Sequence, residues 1–341
     1  MDIASMTLEE LEGFVLAHNE KKYRAKQIFK WIHSDFVRNF SQMTNLSRDF
    51  QGLLEREHPI SSVEIERKYE SFGNEVYKYL LRLPKDTIIE SVLMKYSYGS
   101  SVCLSTQAGC AMGCVFCASG ENGFLRNLSP YEILAQMYRI QEDIGERIGN
   151  IVLMGSGEPL LNFDNVVKFI KIASDENGLN IGRRHITLST CGIVSAIYKL
   201  ADLRLGINLA LSLHASNDEI RRELMPAAHS YNMDETLKAC DYYAKTTGRR
   251  ITYEYALIKG VNDKEKHAKE LGTRLKGRLC HVNLIPLNEV LGKDFKRPGK
   301  KAIQDFYDVL YRLNIETTVR RELGGDVTAA CGQLRAEFLE E

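Results

Sequence analysis

The chain has 341 residues, 44% of them apolar, which is ample for a buried core and fits a length prior of about two domains. Lys plus Arg and Asp plus Glu both number 45, so no global basic field argues for nucleic acid, and any RNA-gripping surface must come from local asymmetry. No signal peptide and no apolar stretch of about 20 residues is evident, so a cytoplasmic chain without a membrane partner is expected, its eight cysteines reading as ligands, catalytic thiols or core residues rather than disulfides.

In chain order, the first 60 residues place apolar side chains at helical spacing, in Leu8-Leu11-Val15 and again in Ile28-Phe29-Ile32-Phe36. Thr7 is set to cap the first helix and Pro59 to end the last, which predicts a small helical accessory domain over 1–60. Within it Lys21, Lys22, Arg24, Lys26, Lys30 and Arg38 stand against Asp35. Residues 63–99 alternate polar and apolar, as in Val76-Tyr77-Lys78-Tyr79-Leu80, predicting antiparallel strands in a β extension over 61–100. From 101 to 341 short β runs recur between amphipathic helices: Val102–Leu104, Ile151–Met154, His185–Leu188, Ile207–Leu213, Ile251–Leu257, His281–Ile285 and Ile315–Val319. This is the rhythm of βα units around a parallel sheet. Nearly every polar or Gly-rich motif follows the C-terminal end of a predicted strand, where (β/α) barrels build their sites. The expected fold class is therefore α/β, a partial (β/α) barrel core with a small N-terminal helical accessory domain. A second basic run, Lys293, Lys296, Arg297, Lys300 and Lys301 against Asp294, could grip phosphates like the first or be an ordinary solvated face.

The most informative segment is Cys110-Ala-Met-Gly-Cys114-Val-Phe-Cys117, which closes three thiols around one small volume. Structural zinc takes four ligands and ordinary iron–sulfur cubanes four thiolates. No second CxxC follows, so the spacing points to a [4Fe–4S] cluster with one iron open, a zinc knuckle being the bland alternative. With Phe116 directly before the last cysteine, the run resembles the radical S-adenosylmethionine (SAM) superfamily. That resemblance implies SAM on the open iron, Phe116 beside its adenine, and reductive cleavage to a 5′-deoxyadenosyl radical. After the strand Ile151–Met154 comes Gly155-Ser156-Gly157-Glu158-Pro159. It reads weakly as a dinucleotide turn, because Leu160 stands where the third glycine would, and better as a loop beside a cluster, with Glu158 able to accept hydrogen bonds from an ammonium.

The strings Met154 to Asn162, Leu188-Ser189-Thr190, Ser212-Leu213-His214-Ala215, Leu224-Met225-Pro226 and Ala329-Ala330-Cys331-Gly332-Gln333-Leu334 together resemble the RlmN/Cfr family of RNA adenine methyltransferases, through residues 70–336 and more loosely before them. One departure is Ser156, where the family usually has Met. The resemblance implies SAM contacts at Gly157, Glu158, Ser189, Ser212, Leu213, His214 and Asn288. It implies that Cys331 carries a methyl group from one SAM, and that the radical from a second abstracts hydrogen from it. The resulting carbon radical would add to adenine. Cys103 would then release the RNA by forming a transient disulfide with Cys331, and Glu90 would accept the ring proton. Cys191, Cys240 and Cys280 match no role and are read as structural. Gly157-Glu158-Pro159 resembles the branch that methylates adenine C2 in 23S rRNA and tRNA; C8 methylation and a non-catalytic iron–sulfur or zinc RNA-binding module are the alternatives. A flavodoxin-like electron donor and a monomeric state are expected.

Overall fold

In the computed structural model, the described residues are 2–73, 75–121, 123–290, 292–321, 327, 329 and 333. Three helices open the chain: α1 (Leu8–Ala17), α2 (Tyr23–His33) and α3 (Arg48–Glu57). Thr7 does cap α1. Its hydroxyl accepts from the Glu10 N–H while the Glu10 carboxylate accepts from the Thr7 N–H at 2.8 Å, a reciprocal capping box. The apolar spacing that runs on to Phe36 does not mean helix there. Phe36 lies beyond the end of α2 at φ 54, and its ring stacks on Tyr138 at 4.6 Å, so its apolar character serves docking against the core. His33 adds a hydrogen bond to the Tyr138 hydroxyl at 2.7 Å.

The strands β1 (Glu64–Glu70), β2 (Val76–Leu83), β3 (Thr87–Tyr96) and β4 (Gly99–Cys103) follow as an antiparallel meander. A separate hairpin of β5 (Gln107–Gly109) and β6 (Phe124–Asn127) brackets the cysteine loop. Then come α4 (Pro130–Ile144), β7 (Asn150–Leu153), α5 (Phe163–Ala173), β8 (Ile186–Thr190), α6 (Val194–Asp202), β9 (Asn208–Ser212), α7 (Asp218–Leu224), α8 (Met233–Thr247), β10 (Ile251–Leu257), α9 (Glu265–Leu275), β11 (Cys280–Pro286), α10 (Lys300–Arg312) and β12 (Thr317–Val319). Each β run expected after residue 101 overlaps a strand of this series.

The main sheet runs β1-β2-β3-β4-β7-β8-β9-β10-β11-β12, parallel from β4 onward. This is a partial (β/α) barrel extended on one side by the meander. Parallel strands covered by helices are apolar on both faces, as Leu209, Ala210 and Leu211 illustrate, all fully buried. Polar side chains in such strands are therefore exceptions: Ser189 and Thr190 close β8 and Ser212 closes β9, while Glu254 and Asn283 stand midway along β10 and β11. Among the described residues no helix is long and apolar enough to cross a membrane.

Candidate active site

The cysteine loop hangs from the β5–β6 hairpin at one end and from α7 at the other. The Cys110 N–H donates to the Gly123 carbonyl at 3.0 Å, and the Val115 N–H to the Leu224 carbonyl at 3.1 Å. Met112, Val115 and Phe116 pack against an apolar cluster that includes Cys191, Leu224, Met225, Ile258 and Leu287. Buried apolar teeth thus fix the loop, and Cys110, Cys114 and Cys117 all face one cavity at the C-terminal ends of the strands. Burial, aggravated by the neighbouring thiols and by Glu158, pushes the Cys110 thiol up and the Cys114 thiol up to about 12. A thiol raised in this way stays protonated unless a cation takes the proton's place, and the donor set Cys110, Cys114 and Cys117 around one cavity fits an iron–sulfur cluster held by three thiolates.

The turn after β7 forms the next wall. Gly157 takes φ 103, and a Cβ there would lie 2.6 Å from the Gln107 side chain, so only glycine allows this approach. The Glu158 N–H donates to the Gln107 side-chain oxygen at 2.8 Å. Its carboxylate accepts from the backbone N–H groups of Leu160 at 3.0 Å and Cys191 at 2.7 Å. Burial nevertheless pushes this carboxyl above its ordinary value. Hydrogen bonds from the Thr190 and Cys191 side chains add to the two backbone donors and oppose that rise.

Ser189 and Ser212 line the same cavity from β8 and β9, their hydroxyls 3.5 Å apart, and Asn288 lines it beyond β11. His214 takes φ 55 just past β9, and its ring meets Phe116 edge to face at 5.0 Å. The Ala256 N–H donates to its Nδ1 at 2.9 Å, which leaves the ring proton on Nε2, and burial and then Arg221 lower the imidazole to about 3. His214 is therefore a neutral group. The Leu213 side chain lies in the main hydrophobic core, so a contact with a ligand in the cavity falls to its backbone.

The cavity also holds residues that sequence reasoning did not assign. Ser212, Glu254, Asn283 and Thr318 stand in register across β9 to β12, and Asn283 donates to the Glu254 carboxylate at 2.8 Å. Glu254 lines the cavity together with Arg320, and burial raises its carboxyl despite that guanidinium. The signal was present: a lone carboxylate between Tyr253 and Tyr255 in an otherwise apolar strand. Cys191, read as structural, also lines the cavity, with its Sγ 3.2 Å from the Met112 sulfur. Cys240 is fully buried in the core, and Cys280 begins β11 half-buried.

Glu90 and Cys103 lie on the adjoining face of the sheet. Cys103 pairs with Val92 across β3 and β4, and Glu90 stands two residues from Val92 on the same side. Cys103 belongs to a small apolar cluster with Val76, Val92, Met94 and Ala329, against which Met154 and Val327 pack. Met154 lines the cavity as well, so the two regions adjoin. Cys331 lies outside the described residues, two positions beyond Ala329. The Glu90 carboxylate is paired with Lys78 at 2.8 Å, deep in the sheet.

Residues 104–271 match the family model described as the radical SAM superfamily, and residues 1–60 the one described as the ribosomal RNA large subunit methyltransferase N-terminal domain. A protein of Alkaliphilus oremlandii named "Probable dual-specificity RNA methyltransferase RlmN" is 54% identical over 340 residues, covering 100% of this chain and 99% of its own. One of the same name from Clostridioides difficile is 51% identical, covering 98% of each. The crystal structure of a radical SAM methyltransferase from Sphaerobacter thermophilus superposes with a TM-score of 0.93 at 41% identity, covering 99% of this chain and all of that one. With identity at this level along the whole length of both chains, this protein belongs to the RlmN family of radical SAM RNA methyltransferases.

Proposed function

We propose that this chain methylates C2 of an adenine in 23S rRNA and in tRNA, using two SAM molecules per methyl group and a methylated Cys331 as carrier. The observation that carries the reading is one cavity lined by Cys110, Cys114, Cys117, Phe116, Gly157, Glu158, Ser189, Ser212, His214 and Asn288, adjoining the sheet face that bears Glu90 and Cys103. The three cysteines would hold a [4Fe–4S] cluster, and the remaining residues would hold SAM, with Glu254 as a further hydrogen-bond acceptor for its hydroxyls. When bound, the cluster and SAM supply the methyl group and a carbon-centred radical.

The chain's own residues do the rest. Adenine C2 is electron-poor and reacts badly with a methyl cation donor, yet it accepts a carbon radical. Cys331 delivers the carbon while its sulfur stays attached, which tethers the RNA. Glu90 accepts the C2 proton and aromaticity returns as the adduct radical loses one electron, which the cluster, when bound, would take back after having supplied one for SAM cleavage. Cys103 then attacks the Cys331 sulfur; an S–S bond forms, the S–C bond breaks, and the freed carbon takes up a proton to become the methyl group. The names of the relatives and Gly157-Glu158-Pro159 favour C2 over C8. A flavodoxin-like reductant, a monomeric and cytoplasmic enzyme, and an RNA-gripping role for residues 1–60 complete the proposal.

The test is anaerobic incubation of the reconstituted enzyme with SAM, reductant and an unmodified 23S rRNA fragment, followed by nucleoside mass spectrometry. 2-Methyladenosine is expected, and its absence from a Cys331→Ala enzyme that still holds its cluster. 8-Methyladenosine would overturn the regiochemistry, and turnover by Cys331→Ala would overturn the carrier mechanism.

A further inference from the structure

We infer that Lys78 is a positioning residue for Glu90, holding its carboxylate ionised and in place for proton transfer as the RNA is released. The inference rests on the proposed role of Glu90 as proton acceptor and deepens it.

Across the β2–β3 ladder Lys78 stands opposite Val92 and Leu80 opposite Glu90, so the lysine and the glutamate are diagonal neighbours on one face. Their Nζ and Oε1 atoms are 2.8 Å apart, with the side chains 2% and 1% exposed. On the far side of the ammonium, the Tyr69 ring of β1 lies 5.7 Å from Nζ. Across β4, Cys103 also stands opposite Val92, so Lys78, Val92 and Cys103 form one row and Glu90 sits one step from it towards the barrel mouth.

A buried ion pair is a poor choice for stability alone, since well-packed apolar side chains of similar volume serve as well or better. It has a clear use in a proton transfer. A carboxyl buried by itself in a sheet takes up a proton in preference to staying charged, and a neutral carboxyl cannot act as a base. The ammonium of Lys78 keeps Glu90 in the form that can accept. In the step itself the C2–H bond of the adduct radical breaks, the proton moves to a Glu90 oxygen, the bonding pair stays in the ring to restore aromaticity, and the one surplus electron leaves to the cluster that supplied an electron for SAM cleavage. Among the described residues, the charged and titratable groups on the Glu90 face of the packed strands include Lys78 and Arg82 on β2, Arg67 and Tyr69 on β1, and Cys103 on β4; Arg82 is engaged by Glu66 and Asp86, and Arg67 by the Tyr69 hydroxyl. The neighbouring β5 strand, Gln107-Ala108-Gly109, contributes none.

Reconstituted wild-type, Lys78→Met, Lys78→Arg and Glu90→Gln enzymes are taken through a single turnover with a 23S rRNA fragment between pH 6 and 9.5. The readouts are 5′-deoxyadenosine, methylated Cys331, and the covalent protein–RNA species on a denaturing gel. Lys78→Met should cleave SAM and form the adduct like wild type. It should release RNA about tenfold more slowly at pH 7 and recover as the pH rises towards 9, because a carboxyl raised by uncompensated burial regains its charge there. Lys78→Arg should release at close to the wild-type rate. Release by Lys78→Met at the wild-type rate at pH 7, or a defect that persists unchanged at pH 9, overturns the inference. Where Lys78→Met takes up no cluster, Lys78→Gln replaces it and is read in the same way. A Glu90→Gln enzyme that accumulates no adduct removes the base role of Glu90 itself, which separates failure of that reading from failure of the role given to Lys78.

Discussion

His33 and His214 are both buried and both held near a pKa of about 3, His33 by burial alone and His214 by burial and then Arg221. An unfolded chain protonates its histidines near pH 6.5. Because the folded values are lower, the unfolded state binds more protons between those limits. The contribution of each neutral histidine is thus complete above about pH 6.5 and is lost as pH falls towards 3. His33 lies in α2, away from the cysteine loop, so it reports this effect without disturbing the cavity. In denaturant titrations, wild type should lose about 1.4 kcal/mol more per pH unit than His33→Gln over the range below pH 6. Parallel pH profiles for the two proteins would show that His33 is charged in the folded state.

The element on which the cysteine loop depends is the short β5–β6 hairpin, and its critical position is Gly109. The residue takes φ 71, and a Cβ placed on it would lie 1.9 Å from the Gly123 carbonyl oxygen, the same oxygen that accepts from Cys110. No rotamer relieves a clash with backbone, so Gly109→Ala must open the hairpin beside the first thiol. The expected outcome is a protein whose circular dichroism matches wild type but whose iron and sulfide content after anaerobic reconstitution falls at least several-fold. Full cluster loading would show that the loop is held from the α7 side alone. The sequence made Cys110, Cys114 and Cys117 conspicuous. It did not show that two glycines 14 positions apart would touch, because that contact exists only once β5 and β6 pair.

Over the whole molecule, charge is nearly self-compensated. In the first basic run Lys22 pairs with Glu12 and Arg24 with Glu20, while Arg38 reaches both Glu64 and Glu142. In the second, Lys293 pairs with Glu121 and Lys296 with Glu289. Such exposed pairs contribute little to stability, but they reduce the positive field that a phosphate backbone meets. RNA binding should therefore release few counterions. The logarithm of affinity for an unmodified tRNA should fall with the logarithm of salt with a slope of about −2 to −4, that of roughly three to five phosphate contacts. A flat dependence would contradict the RNA-gripping role proposed for these runs, and a slope near −8 would mean that the pairs open on binding.

What the sequence determined by itself is whatever local pattern encodes. The βα rhythm fixes the strand series because a strand covered on both faces must be apolar at consecutive positions, and the 4-and-3 cysteine spacing confines three thiols to one loop. Gly157 and Glu158 were legible because a polar, Gly-rich turn after an apolar strand is unusual. Only the tertiary structure decided the rest. Lys78 and Glu90 are 12 positions apart, and nothing in the sequence joins them until the register of β2 on β3 buries them together. Glu254 read as one carboxylate in a strand until parallel register set it beside Ser212 and Asn283. Leu213 read as part of a binding motif, and the structure places its side chain in the core, which leaves that role to its backbone. In each case the deciding quantity is which neighbours share a face, and register between strands distant in sequence fixes that.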